Sequence, residues 1–283
     1  METNLRTLGP NEAKTVLSFR EQGRTIVRAA DVIETLGKES TARKVIHNLL
    51  RKGWLTRLVA GRYLFLPPER GPENLGENNA LAVASAVVEP SYVGWWSAAS
   101  YHGFTTQKPM AISVATLRPL PARTIEGNEV RFIKVVERKF FGFKPYELYG
   151  RQVVLSTPVK TVVDCIDRPG LTGGAAEVTR IVHGAVADLD PQALIDAAFR
   201  MKSTALLQRL GFLADLIGWK WPKALRPQLR AAIAPSTRAV FGRAERKAED
   251  IGYVAAWGLL VHAAKSDLLA DVPRSQQSGS AGC

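Results

Sequence analysis

Between Ser40 and Arg51 the apolar residues fall at Ala42, Val45, Ile46, Leu49 and Leu50, a spacing that gathers them on one face of a helix. Ser40 or Thr41 suits its N-cap, and Gly53 lies where a left-handed glycine ends a helix. The opposite face carries Arg43, Lys44, His47, Asn48 and Arg51. Two short strands follow, Trp54 to Leu58 and Tyr63 to Leu66, joined by Val59-Ala60-Gly61-Arg62 and stopped by Pro67-Pro68. Upstream, Pro10 to Gln22 repeats at helical spacing behind Gly9, and Thr25-Ile26-Val27 reads as a small third strand. Ala29 to Leu36 is a second helix closed by Gly37. Helix, strand, helix, short turn, helix and hairpin is the order of a winged helix-turn-helix, and it fills residues 9 to 68.

That order turns the basic face into a candidate DNA reader. Arg43, Lys44 and Arg51 are able to neutralise phosphates or fork onto guanine, and Asn48 to pair bidentately with adenine. The early part of a recognition helix enters the major groove, so Thr41, Lys44 and Asn48 are the expected base readers. His47 shares the face. Arg57 and Arg62 sit at the wing, where an arginine can enter a narrow minor groove.

Beyond Pro68 the pattern changes. Residues 69–77 are polar and rich in Gly and Pro, the composition of a linker. Asn78 to Val88 reads as an alanine-rich helix, and Ser97 to Gly103 as a helical turn. Alternating strands are expected at Met110 to Thr116, Glu129 to Val136 and Gln152 to Ser156, with a turn or irregular hairpin over Arg118 to Gly127. Arg138 to Lys144 reads as a further strand edge. Thr157-Pro158 opens a helix over Val159 to Ile166. Helices then follow at Ala175 to Val186, Pro191 to Met201, Ala205 to Ile217 and Pro227 to Ala232, before one strand over Trp257 to Ala263. The fold class is α+β, with strands leading and helices following. The boundaries are residues 1–68 and 78–272, and the Ser/Gln/Gly tail 273–283 cannot bury a core.

Charge supports a polyanionic partner. The 283 residues carry a formal net charge of +12. Through Pro68 there are twelve Lys and Arg against six Asp and Glu, about three times the density of excess positive charge in the remainder. Two cysteines, Cys165 and Cys283, without ligand spacing argue against a disulfide framework or structural zinc. The polar start and the lack of a long apolar run argue for a cytoplasmic protein without a membrane anchor.

No enzymatic signature stands out, so no catalytic, cofactor-binding or metal residue is assigned. Gly170 to Gly174 lacks a Walker lysine. Ser97, Ser100 and His102 cluster without a nucleophile elbow. Glu245-Arg246-Lys247 has the Glu-x-Lys form of some nucleases but no metal-binding Asp partner. Asp164 and Asp167 read as surface or capping charge. The aromatics from Lys139 to Phe143, able to stack bases in a single-strand binder, read as a strand with one buried face.

Several segments resemble the AbiEi family, antitoxins of type IV toxin–antitoxin systems. They are Gly53-Trp54-Leu55-Thr56-Arg57 with Gly61-Arg62-Tyr63-Leu64-Phe65, Ser97 to Phe104, Thr157 to Asp164 through Gly173-Gly174, and Leu206 to Leu216. The resemblance spans roughly residues 9 to 270 and implies a winged helix followed by a larger mixed α/β antitoxin domain. It also implies an autorepressor that binds inverted repeats in double-stranded operator DNA, and a second domain that counters a nucleotidyltransferase-type toxin. The helix and wing residues above carry over as DNA contacts. No antitoxin residue can be placed by motif. Two alternatives stay open: a winged helix fused to a nucleic-acid-processing enzyme, and a regulator that senses a small ligand.

Overall fold

The computed structural model describes residues 7–66 and 80–272, apart from 25, 126, 149, 150, 235 and 271. The linker expected at 69–77 and the tail at 273–283 lie outside the described residues. The first unit contains α1 (Pro10–Glu21), β1 (Ile26–Arg28), α2 (Ala29–Leu36), α3 (Glu39–Arg51), β2 (Leu55–Val59) and β3 (Arg62–Phe65). Glu12 starts α1 by accepting the Gly9 amide at 2.9 Å, with Pro10 in the first turn. Gly53, at φ +70°, turns the chain out of α3 toward the hairpin. The three strands run antiparallel in the order β1-β3-β2. Val16, Phe19, Val32, Val45, Leu49 and Phe65 fill the space between this sheet and the helices.

The second unit opens with α4 (Ala80–Ala86) and a six-stranded mixed sheet. Its strands are β4 (Ser91–Val93), β5 (Ala111–Thr116), β6 (Arg123–Ile125), β7 (Asn128–Lys134), β8 (Phe143–Leu148) and β9 (Arg151–Ser156). They lie in the order β6-β7-β5-β4-β9-β8, with β5 parallel to β7 and β4 parallel to β9. Pro145 is tolerated in β8 because that strand is an edge. Helices α5 (Trp95–Tyr101), α6 (Pro158–Asp167), α7 (Ala175–Ala185), α8 (Pro191–Arg200) and α9 (Thr204–Leu216) build the main core, and α10 (Leu225–Ala231) follows. Thr157 caps α6 through its side chain, ahead of Pro158.

The mixed α+β class is observed, but strands do not stop where helices begin. After α10 comes a second sheet: β10 (Ala239–Gly242), β11 (Gly252–Val254) and β12 (Leu259–His262), ordered β10-β12-β11, followed by α11 (Lys265–Leu268). Only β12 is expected from the pattern. β10 and β11 span four and three residues, too short for alternation to register. The expected turn or irregular hairpin at Arg118 to Gly127 contains the edge strand β6, which pairs antiparallel with β7. The expected strand at Arg138 to Lys144 begins only at Phe143, after a 3-10 turn at Glu137–Lys139. Among the described residues no helix is long and apolar enough to cross a membrane.

One strand ties the two units together. Tyr63, Leu64, Phe65 and Leu66 are 8%, 0%, 2% and 2% exposed, so β3 and its exit are covered on both faces. Tyr63 and Phe65 point into the core of the first unit. Leu64 and Leu66, with Leu58 from β2, enter a cluster with Val83, Val87 and Phe132 of the second. Burying each such leucine is worth about 1.5–3 kcal/mol. At the rim, Glu89 accepts Arg28 at 2.6 Å and Arg62 at 3.3 Å, and Arg62 also donates to the Ala86 carbonyl at 3.0 Å.

Two outcomes follow from this junction. Leu64→Ala should cost about 2–5 kcal/mol and lower a single calorimetric transition; two separate transitions would contradict a shared core. The Arg62 hydrogen bond, outweighing the effect of burial and aided by the Arg62 and Arg28 charges, holds the Glu89 carboxyl below its ordinary value near 4.5. A depressed carboxylate stabilises fully above that ordinary value, and the benefit is lost as pH falls through the folded one. The melting-temperature gap between wild type and Glu89→Gln should therefore close in acid; a gap that does not change below neutral pH would refute the pairing.

Candidate nucleic-acid interface

The apolar stripe of α3 is buried against α1 and α2: Ala42, Val45, Ile46 and Leu49 are at most 7% exposed. The opposite side therefore faces solvent, and Arg43, Lys44, His47 and Arg51 all lie exposed on it. Thr41, near the start of the helix, is half-buried. Arg43 pairs with Glu39 one turn earlier at 2.5 Å, an exposed contact. Such pairs are worth only about 0.3–0.5 kcal/mol, so an incoming phosphate can replace the carboxylate.

The other sequence-derived residues separate. Asn48 is half-buried and hydrogen-bonds Glu12 of α1. Lys52 completes that contact at 2.5 Å. Burial by itself would raise the Glu12 carboxyl, but hydrogen bonds from Lys52, the Gly9 amide and Asn48 hold it below the usual range. Asn48 thus anchors α3 on α1. Arg62 is turned toward Glu89 and Ala86 at the junction. Arg57 remains exposed on β2, beside a groove of about 270 Å³ that also includes Arg123 of β6. The structure therefore joins Arg43, Lys44, His47 and Arg51 on one face, with Arg57 on the wing.

In the second unit, residues that resemble catalytic parts serve the fold. Ser97 Oγ accepts the Ser113 amide at 3.1 Å, tying α5 to β5. His102 Nε2 donates to the Ser156 carbonyl at 2.8 Å, and burial lowers its basicity. Gly173 passes so close to Trp96 that a Cβ there would sit 2.9 Å from the ring. The first turn of α7 already holds a carboxylate, Glu177, which accepts Trp96 Nε1 at 3.1 Å and Thr105 Oγ1 at 2.5 Å and pairs with Arg180. Glu245 and Lys247 are exposed between β10 and β11. Burial pushes the Cys165 thiol far up, so it is unreactive. Among the described residues no group of three His, Cys, Asp or Glu side chains is placed to hold a metal.

Asp164 is the correction. It is not surface charge: it is 3% exposed, on the inner face of α6, and pairs with Lys160, which is 1% exposed. Tyr92 Oη lies 3.2 Å from the carboxylate and 3.1 Å from Lys160 Nζ. Burial draws the lysine down and the aspartate up, and pushes the Tyr92 phenol well above its usual range. The ring of Phe141 covers the ammonium at 5.0 Å. Gly142, at φ +66°, lets the chain pass, since a Cβ there would meet Lys160 at 3.0 Å. The signal was the Lys160-x-x-x-Asp164 spacing, one turn apart among Val162, Val163 and Ile166. Asp167 is also engaged, with Lys139 at 2.6 Å.

This network lies inside the stretch that known proteins explain. Residues 92–216 match the family model of the AbiEi antitoxin C-terminal domain. That stretch is similar to an AbiEi antitoxin domain. No curated protein matches the chain. Among solved structures, the crystal structure of the RV2827C protein from Mycobacterium tuberculosis is similar over 94% of this chain and 95% of that one. The TM-score is 0.61 at 18% identity, a likeness of fold alone. The AbiEi stretch thus begins at Tyr92 and contains all of α5 to α9, while α3 lies outside it.

Removing one member of the buried pair should be costly. Lys160→Met leaves Asp164 uncompensated and should destabilise by about 3–5 kcal/mol in urea unfolding, whereas Lys160→Met with Asp164→Leu should recover much of that loss. A single variant as stable as wild type would show that the pair does not hold α6 in place.

Proposed function

We propose that this chain is a DNA-binding antitoxin and autorepressor of a toxin–antitoxin operon, acting in the cytoplasm against a nucleotidyltransferase-type toxin. The carrying observation is the solvent-facing cationic side of α3, which follows α2 after two residues and is backed by the β2–β3 hairpin. In this reading the first unit is a winged helix-turn-helix and α3 its recognition helix. Lys44 and Thr41 face the base edges, Arg43 and Arg51 take phosphates, His47 adds a contact, and Arg57 follows the backbone from the wing. Asn48 and Arg62 set the pose of helix and wing through Glu12 and Glu89.

The AbiEi stretch supports the antitoxin half of the proposal, and its toxin partner follows from the family resemblance. The chain acts by binding and not by turnover: Ser97, His102 and Glu177 each serve a structural hydrogen bond. Inverted repeats in the operator would place two copies on one duplex.

With about three phosphates neutralised per copy, a threefold rise in salt should weaken operator binding by about twentyfold. Arg43→Ala with Arg51→Ala should lower the steepness of that salt dependence by about two in log–log slope while leaving the melting temperature nearly unchanged. Fluorescence anisotropy on the chain's own promoter duplex measures both. Equal affinity and slope in the double variant would overturn the assignment of α3.

A further inference from the structure

Behind the AbiEi sheet, a cleft of about 210 Å³ opens between the end of β7, the adjoining 3-10 turn and the C-terminal end of α6. Lys134, Arg138 and Arg168 line it, are exposed, and have no ion-pair partner among the described residues. The two carboxylates in its wall are already matched, Asp164 by Lys160 and Asp167 by Lys139. Three positive charges thus converge on a concave surface uncompensated. Val135, Val136 and Met201 supply an apolar side.

A fourth group in the wall is a donor in need of an acceptor. Trp95 is 1% exposed, and its indole N–H is buried with no hydrogen-bond partner among the described residues. An orphaned buried donor is destabilising, and native proteins keep few of them. The same residue holds a left-handed backbone at φ +51°, a strained conformation for a bulky side chain. Strain and an unmet donor at one residue, beside unpaired cations, are two costs that a bound acceptor could offset.

We propose that this cleft binds the phosphate group of a small phosphate ester, with Lys134, Arg138 and Arg168 around its oxygens and the Trp95 indole N–H as a further donor. The cleft, of about 210 Å³, has room for a phosphate and the first carbons of its ester. A larger phosphorylated molecule would enter by its terminal phosphate alone, its remainder lying along Val135 and Val136. The proposal concerns only the second unit and stands whether or not α3 binds DNA.

The test is titration of the full-length protein with inorganic phosphate, glycerol 3-phosphate and adenosine monophosphate, against chloride at equal ionic strength. The readout is the Trp95 indole N–H resonance, assigned by its loss in Trp95→Phe, together with calorimetry. A saturable shift with phosphate compounds and not chloride is expected, with affinity at least about tenfold (1.4 kcal/mol) weaker in Arg138→Ala with Arg168→Ala. A preference for the esters identifies the ligand as a phosphorylated metabolite, and equal response identifies free phosphate; both support the site. If Trp95→Phe does not fold, the calorimetric comparison of wild type with the arginine variant decides alone. No heat or shift up to about 10 mM, an equal response to chloride, or undiminished binding in the arginine variant would overturn the proposal.

Discussion

A β-hairpin buried on both faces determines how the rest of this molecule is arranged. In an isolated winged unit the outer face of the hairpin meets water. Here Leu58, Leu64 and Leu66 leave water on that side and join the sheet and α4 of the second unit. Three leucines at about 1.5–3 kcal/mol each are comparable with the entire net stability of a small domain, about 5–15 kcal/mol. The Arg28 and Arg62 contacts to Glu89 lie at the exposed rim and add far less. Apolar burial holds the units together, and the ion pairs set their register.

The second unit is organised around α6 in a different way. Lys160 and Asp164 bring a charge pair into a site lined by Tyr92, Phe140, Phe141 and Phe143. Desolvating two ions offsets most of their attraction, so the pair does little for net stability while making its own disruption expensive. Its value is positional: Tyr92 of β4, Lys160 and Asp164 of α6, and the chain at Gly142 are satisfied together in one arrangement. Glu177 does the same for α7, joining Trp96, Thr105 and Arg180.

Much of the first unit was legible in the sequence because its helices are long enough for a 3.6-residue period and are closed by glycines. The stripe Ala42, Val45, Ile46, Leu49 and its basic opposite face needed no tertiary information. What escaped were tertiary effects. The fate of Arg62 depends on Glu89, and that of Asn48 on Glu12; neither partner is visible from a helix wheel or a hairpin alternation. The unbroken run Tyr63-Leu64-Phe65-Leu66 did carry a signal, since a strand apolar at every position is covered on both sides. The strands β10 and β11 escaped because three or four residues do not establish a period. Asp164 escaped because a charged residue is taken as exposed until its partner one turn away is noticed.

A shared core means that the unit carrying α3 and the AbiEi-like stretch travel as one body, so under the proposed function a duplex held at α3 would fix where the second unit points. The most direct measurement is a structure of the full chain on a duplex from its own promoter. In that structure α3 should lie in the major groove, with Lys44 and Arg51 against the DNA and Arg62 still bonded to Glu89. A helix α3 turned away from the duplex, or a wing that has left Glu89 to insert Arg62 into the minor groove, would contradict it.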